Sequence, residues 1–86
     1  MNKLEKQLKA LANKRRLAIV KYLHEKTEAT VGQIAGQIHL SFRSTSKHLT
    51  VLRLAEIIAK EQKSREVYYS LEQPRNSLLR LILSLY

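Results

Sequence analysis

The chain has 86 residues, no cysteine and a formal net charge of +9, with 16 Lys and Arg residues against seven Asp and Glu. The lack of cysteine excludes disulfides, thiolate metal sites and cysteine redox chemistry within the chain. A chain of this length predicts one domain with a small core, which gains stability from dimerisation. The positive charge favours a polyanionic partner, nucleic acid before an anionic membrane. No segment has the pattern of a membrane span or a signal peptide, so the sequence predicts a cytoplasmic protein with no membrane partner.

The first 38 residues predict three helices. Leucines at i, i+4 and i+7 give residues 2–12 a narrow apolar seam, and a second helix is expected over residues 14–25. Thr30 and Gln33 match a capping box, in which each side chain binds a free backbone N–H at the helix start. This box opens a short third helix that ends near Ile38.

A turn at residues 39–40 leads into a fourth helix with two unlike sides. Ser41 is a suitable N-cap, and the helix is expected to extend to about Ala55. The polar stripe consists of Arg43, Ser46, Lys47 and Thr50. The opposite side, expected to pack on a core, consists of Phe42, Thr45, Leu49 and Leu52. Cations and short hydroxyls on one side suit a helix that enters the DNA major groove, although a solvated surface helix has the same pattern.

Beyond Ile57 the hydrophobic period changes from that of a helix to that of a strand. Residues 57–61 and 66–71 are expected to form two strands joined by the basic connection 62–65, which makes a β-hairpin with a charged tip. Pro74 is expected in the first turn of a last helix. Apolar side chains surround most of residues 76–86, and a small core cannot cover them all, so a second subunit is the simplest partner for this helix.

Three runs of the chain resemble the ArsR/SmtB family of dimeric repressors. They are LKALANKRRLAIVKYL (8–23), IAGQIHLSFRSTSKHLTVLRLAEII (34–58) and REVYYSL (65–71). The resemblance implies a winged helix-turn-helix fold, mainly α with a small β-hairpin (α+β), with about five helices plus a two-stranded wing. It also implies that residues 1–86 form a single DNA-binding domain.

The chain departs from the family at positions that matter for metal sensing and for turns. Thr30 and Gly32 stand where well-known members carry a Cys-x-Cys metal site, and the last helix has no histidine. The chain is therefore expected to bind no metal and no cofactor. Residues that replace the family's usual turn glycines are His39, Glu56 and, at the wing tip, Ser64. Histidine tolerates the left-handed region, so His39 is expected to keep its turn, whereas Glu56 leaves the geometry at the end of the fourth helix open.

The candidate DNA contacts lie on the fourth helix and the wing, because the N-terminal residues of a recognition helix reach base edges. They are Ser41, Arg43, Ser44, Thr45, Ser46, Lys47, His48, Lys60, Lys63 and Arg65. His48 lies toward the flank, where it either packs or binds phosphate. The wing cations also suit a charged sheet edge that deters aggregation. The cations at 14–16 either touch the DNA backbone or are simply solvated.

The terminal helices, about 2–12 and 73–86, are the candidate dimer interface. The residues expected there are Leu4, Leu8, Leu11, Leu78, Leu79, Ile82, Leu85 and Tyr86. A membrane-surface role for the last helix would require several cations, and its polar stripe holds only Arg80.

Taken together, the sequence predicts a homodimeric, sequence-specific regulator of transcription that binds a near-palindromic operator in double-stranded DNA. Repression, rather than activation, is implied by the family resemblance alone. Two alternatives remain, a winged-helix module that binds other proteins and a non-specific architectural DNA-binding protein. No arrangement of residues typical of an active site is present, so an enzyme is not expected.

Overall fold

The computed structural model describes residues 2–85, so Tyr86, a predicted interface residue, lies outside the described residues. The elements in chain order are α1 (Lys3–Leu11), α2 (Lys14–Lys26), β1 (Glu28–Ala29), α3 (Val31–Ile38), α4 (Phe42–Leu54), β2 (Ile58–Lys63), β3 (Glu66–Leu71) and α5 (Ser77–Ser84). This order confirms the predicted fold class, mainly α with a β-wing.

Side-chain caps start the helices where the sequence predicts them. Thr30 and Gln33 form the complete capping box at the start of α3. The hydroxyl of Ser41 accepts a hydrogen bond from the backbone N–H of Ser44 at 3.1 Å. Each cap satisfies an N–H group that the first helical turn leaves unpaired, so the starts of α3 and α4 are fixed locally.

The three strands form an antiparallel sheet in the order β1-β3-β2. The β2–β3 hairpin pairs Ile58 with Leu71 at its base and Lys63 with Glu66 at its tip. The sequence did not predict β1, which pairs Ala29 with Tyr69 on the other side of β3. A strand of two residues is too short to carry a period-two pattern, so the third strand could be recognised only from its pairing.

The last helix begins later than predicted. Asn76 is its N-cap and accepts a hydrogen bond from the backbone N–H of Leu79 at 2.8 Å, so α5 starts at Ser77. Pro74 therefore lies in the connection after β3 and not in the first turn of the helix. The predicted range 73–86 begins too early, because Asn76 and not Pro74 marks the start of this helix.

The core lies where α2, α3 and α4 meet the sheet. Its fully buried members include Ile19, Ile34, Leu49 and Ile58, one from each of the four elements. Among residues 2–85, no helix has the length and hydropathy needed to cross a membrane.

Four turns place a residue other than glycine at positive φ, and the first of them is Thr27 after α2, with φ 74°. His39 ends α3 with φ 57°, Glu56 follows α4 with φ 60°, and Ser64 turns the wing tip with φ 58°. The predicted left-handed turn at His39 is confirmed. The geometry at Glu56, which the sequence left open, is also left-handed. Such a conformation costs roughly 1–2 kcal/mol in a residue with a Cβ. The turns at His39 and Glu56 flank α4 and connect it to α3 and to the wing in spite of that cost.

Candidate nucleic-acid interface

Helix α4 presents a polar surface to solvent because its apolar side is fixed in the core. Leu49 and Leu52 have no exposed surface, while Arg43, Lys47 and Thr50 are exposed on the opposite side. At 100° per residue, burying the first pair forces the second set outward. The predicted division of this helix into a packed side and a polar stripe is confirmed for these residues.

Thr45 is wrong as a DNA contact. Its side chain is fully buried beside Leu49 and Leu52, and its hydroxyl has no hydrogen-bond partner among the described residues. The position lies four residues before Leu49, so it falls on the packed side of the helix. The candidate site therefore keeps Ser41, Arg43 and Lys47 as exposed members, with Ser44 and Ser46 half-buried.

Phe42 also departs from its predicted place. It was expected to pack on the core, but 64% of its surface is exposed. Phe42 is the first residue of α4 and lines an open cleft whose other walls come from α3 and β3. The structure therefore adds an aromatic ring to the exposed N-terminal end of the candidate recognition helix.

His48 packs against Arg16, which is one of the two alternatives predicted for His48, whereas neither alternative predicted for Arg16 includes this contact. The Arg16 guanidinium donates to the carbonyl oxygens of Lys9 and Ala10 at the end of α1, and its Nη1 lies 3.3 Å from His48 Nδ1. Arg16 thus joins α1, α2 and α4, a structural role that the sequence did not reveal. Burial lowers the pKa of His48, and the positive charges of Arg16 and Arg15 lower it further. Lys14 and Arg15 remain exposed.

The wing carries the three predicted cations on its exposed surface, but they are not equivalent. Lys63 Nζ lies 2.7 Å from Glu28 Oε1, and its hydrogen bond to this carboxylate is the main cause of its raised pKa. The same ammonium lies 5.5 Å from the centre of the Tyr68 ring. Neither Lys60 nor Arg65 has an ion pair within residues 2–85. These two cations are therefore more available to a polyanion than Lys63, which must first leave Glu28.

The terminal helices contribute two kinds of leucine. Leu4, Leu8, Leu81 and Leu85 are exposed, and Leu78 and Ile82 are half-buried against the core of the same subunit. Leu11 and Leu79 are wrong as interface residues, because both are buried in that core. Helical spacing alone identified an apolar surface on each helix, but the part of it that faces the subunit's own core depends on packing between distant segments.

Sequence reasoning missed Gln7, a buried polar residue that connects three elements. Its Nε2 donates to the carbonyl oxygen of Ala55, the C-cap of α4, at 3.0 Å. Its Oε1 accepts from Asn76 Nδ2, at the N-cap of α5, at 2.9 Å. The available signal was its spacing, since Gln7 lies three and four residues before the buried Ala10 and Leu11.

Within residues 2–85, no three His, Cys, Asp or Glu side chains are grouped closely enough to hold a metal ion. The three histidines lie on separate elements, at His24 in α2, His39 after α3 and His48 in α4.

Short helices around a helix-turn-helix, followed by a basic hairpin, define a winged helix-turn-helix domain. The model of the family of bacterial regulatory proteins called the arsR family matches residues 13–60. The chain therefore belongs to the arsR family.

Relatives extend this likeness over nearly the whole chain. The transcriptional activator HlyU of Vibrio cholerae is 32% identical over 80 residues, which cover 92% of this chain and 73% of HlyU. The solved HlyU structure superposes with a TM-score of 0.84 over 98% of this chain and 91% of that chain. The transcriptional repressor SdpR of Bacillus subtilis is 41% identical over 44 residues, about half of each protein (51% and 49%).

A solved structure from Mycobacterium bovis has a TM-score of 0.83 at 25% identity, covering 96% of this chain and 74% of that chain. It is described as the homodimeric winged helix-turn-helix DNA-binding domain of a possible ArsR-family transcriptional regulator. Together the family and the fold identify this chain as a winged-helix regulatory protein.

The lowered pKa of His48 predicts that acid destabilises the fold. Because the folded-state pKa lies below the unfolded value of about 6.5, the unfolded chain binds more protons, and stability falls as the pH drops through 6.5 toward the folded pKa. We expect His48→Gln to lose less stability than the wild type between about pH 7.5 and pH 5 in denaturant titrations. Arg15→Gln, which removes one of the charges, should flatten this dependence in part. Equal pH dependence in the wild type and His48→Gln would contradict the assignment.

Proposed function

We propose that the chain is a homodimeric regulator of transcription that binds a specific, near-palindromic site in double-stranded DNA. The observation that carries the proposal is the division of α4, with one side fixed in the core and two exposed cations, Arg43 and Lys47, on the other. In a winged helix of this kind, the recognition helix enters the major groove. The names of the relatives, two transcriptional regulators and a homodimeric DNA-binding domain, support the proposal.

The charge of α4 supports a polyanionic partner. The helix contains no acidic residue, and its sequence, FRSTSKHLTVLRL, includes three Arg and Lys. Neither Arg43 nor Lys47 forms an ion pair with another residue of 2–85, so binding DNA would not break an existing one. The half-buried Ser44 and Ser46 add hydroxyls beside the exposed cations.

Arg43 and Lys47 are assigned different partners. Arg43 is the second residue of α4, near the end that reaches the base edges, and its planar fork fits the O6 and N7 atoms of guanine. Lys47 lies one turn further along the same side, where a single flexible ammonium suits a phosphate. His48 and Thr45 are not assigned to DNA, because one packs on Arg16 and the other is buried.

The wing is assigned to the DNA backbone beside the recognition helix. Lys60 in the middle of β2 and Arg65 in the turn at the hairpin tip are both exposed and suit phosphates or the minor groove. Lys63 can contribute after exchanging Glu28 for a phosphate, so its net contribution should be smaller. An exposed ion pair contributes little to stability, so the cost of releasing Lys63 from Glu28 is modest.

The terminal helices are assigned to the dimer interface. Leu4 and Leu8 lie one turn apart on α1, and Leu81 of α5 lies four residues before the C-cap Leu85, all of them exposed. Exposed leucines repeated on two helices indicate a surface that a second subunit covers. The isologous pairing of two such surfaces gives a two-fold axis, which matches a near-palindromic site.

The proposed mode of action is repression, in which the bound dimer occupies the operator. The choice of repression over activation rests on the family resemblance alone, since one relative is named an activator and another a repressor. The function is one of binding and not of catalysis. A regulator of this kind acts where the DNA is, so the proposal places it in the cytoplasm.

Selection from a random pool of duplexes at about 150 mM salt tests the proposal, because non-specific phosphate contacts are much weakened there. We expect a selected consensus with two related half-sites. Binding without a consensus would instead favour a non-specific architectural protein. The absence of DNA binding at low and high salt would favour a protein-interaction module.

Replacing Arg43 and Lys47 should separate base readout from phosphate binding. Arg43→Ala should cost roughly 1–3 kcal/mol of binding and relax the preference at one base position per half-site. Lys47→Ala should weaken all sequences alike and lower the salt slope by about one unit per subunit. Selection and salt titrations of each variant measure both quantities.

A matched control for these variants is Lys26→Ala, which removes one charge at the far end of α2. It should keep the consensus and most of the affinity. Arg43→Ala with the full wild-type preference at every position would show that Arg43 does not read a base.

Charged residues on the terminal helices should separate the subunits without unfolding them. We expect the double variant Leu8→Glu, Leu81→Glu to be a folded monomer at micromolar concentration, because both side chains are exposed in the subunit. Leu79→Glu is unsuitable, since it would place a carboxylate in the core. Sedimentation measures the oligomeric state, and circular dichroism checks the fold.

The control is Leu54→Glu, which alters an equally exposed leucine on α4, with 54% of its surface exposed against 58% for Leu81. It should remain a dimer. A wild-type chain that sediments as a monomer at micromolar concentration would contradict the proposed interface.

A further inference from the structure

Neither packing within the subunit nor the proposed dimer interface explains why Phe42 is exposed. With 64% of its surface exposed, it is more accessible than Leu4, Leu8 or Leu81 of the terminal helices. It lies on α4, away from α1 and α5 in the sequence, and is not among the residues that pack on the core. An exposed phenyl ring is unfavourable in water by about 2 kcal/mol relative to a buried one, so a partner that covers it would gain affinity.

The ring lies at the border between the recognition helix and the wing. Phe42 lines an open cleft of about 540 Å³ together with Ser46 on the same side of α4, Gly32 of α3, and Val67 and Tyr69 of β3. Phe42 and Ser46 are one turn apart, beside the outward stripe of Arg43 and Lys47. As the first residue of α4, flanked by Ser41 and Arg43, Phe42 stands at the end of the helix that the proposed function directs to the base edges.

The chemistry of the major groove offers one apolar group to such a ring. A phenyl side chain neither donates nor accepts a conventional hydrogen bond, so it cannot read the polar edges of guanine, adenine or cytosine. The C5-methyl of thymine is the apolar group that a base pair exposes in this groove, and aromatic side chains contact it. We propose that Phe42 reads a thymine methyl in each half-site and is a specificity-determining residue beside Arg43. This inference rests on the proposed function.

Removing the methyl from the DNA and the ring from the protein tests this contact directly. In the operator selected by the wild type, each thymine of the half-site is replaced in turn by deoxyuridine, which lacks only the C5-methyl, in both half-sites together. We expect one position where uracil weakens wild-type binding roughly fourfold per half-site, the value for one buried methyl or methylene group. At that position Phe42→Ala should bind the thymine and uracil duplexes equally.

Two variants serve as controls. Phe42→Leu keeps an apolar side chain and should retain part of the preference for thymine. Leu54→Ala removes an exposed apolar side chain from the other end of α4. It should lose the same affinity as the wild type when each thymine is replaced by deoxyuridine. Thermal unfolding of Phe42→Ala should match the wild type, since the ring makes little contact with the core.

The inference is overturned if Phe42→Ala loses as much affinity as the wild type when each thymine is replaced by deoxyuridine. This includes the outcome in which Phe42→Ala weakens binding to all sequences equally, as expected if the ring only packs on the wing. A selected half-site without thymine, or one in which no uracil weakens binding, overturns it as well. Failure of the wild type to select any sequence would be a different result, because it would refute the proposed function itself.

Discussion

Helix α4 packs one side on the hydrophobic core and exposes the other to solvent, and the arrangement of the domain follows from this constraint. The burial of Leu49 and Leu52 fixes the rotation of α4 about its axis. A rotation by one residue, 100°, would expose these leucines and turn the polar stripe toward the core, at a cost of several kcal/mol. The position of Arg43 and Lys47 on the outer side is therefore set by the hydrophobic core, not by the partner that they are proposed to bind.

Polar contacts then fix α4 against the terminal helices. Gln7 binds the carbonyl of Ala55 at the end of α4 and the side chain of Asn76 at the start of α5. Arg16 joins the end of α1 to His48 near the middle of α4. Losing the buried hydrogen bond from Gln7 to Ala55 would cost about 1–3 kcal/mol, so this bond opposes independent movement of α1 and α4, and the more exposed Arg16 contacts add less. In the proposed dimer, the geometry of the interface would thus set the separation of the two recognition helices.

The predictable features of this chain are those written in local patterns. Helical periodicity, the capping box at Thr30 and the period change after Ile57 predict most of the elements. Features that depend on pairing or packing between distant segments were missed. β1 is defined only by its pairing with β3, and the burial of Leu11 and Leu79 depends on how the terminal helices lie on the core.

The candidate site was predictable to the same extent. The outward positions of Arg43 and Lys47 follow from spacing alone, whereas Thr45 was assigned to DNA although the same spacing places it on the packed side. Phe42 shows the opposite error, since an apolar residue at the first position of a helix can lie beyond the core. The pairing of Lys63 with Glu28 joins residues 35 positions apart and could not be read from the wing sequence.

Protection of guanine N7 from methylation by dimethyl sulfate tests whether two recognition helices occupy the major groove, because N7 lies in that groove. The bound protein should protect guanines in two successive major grooves on one side of the duplex, with centres about 10 base pairs apart. The protection should weaken for Arg43→Ala. Protection confined to a single groove, or saturating binding that leaves every guanine N7 reactive, would contradict the placement of two recognition helices in the major groove.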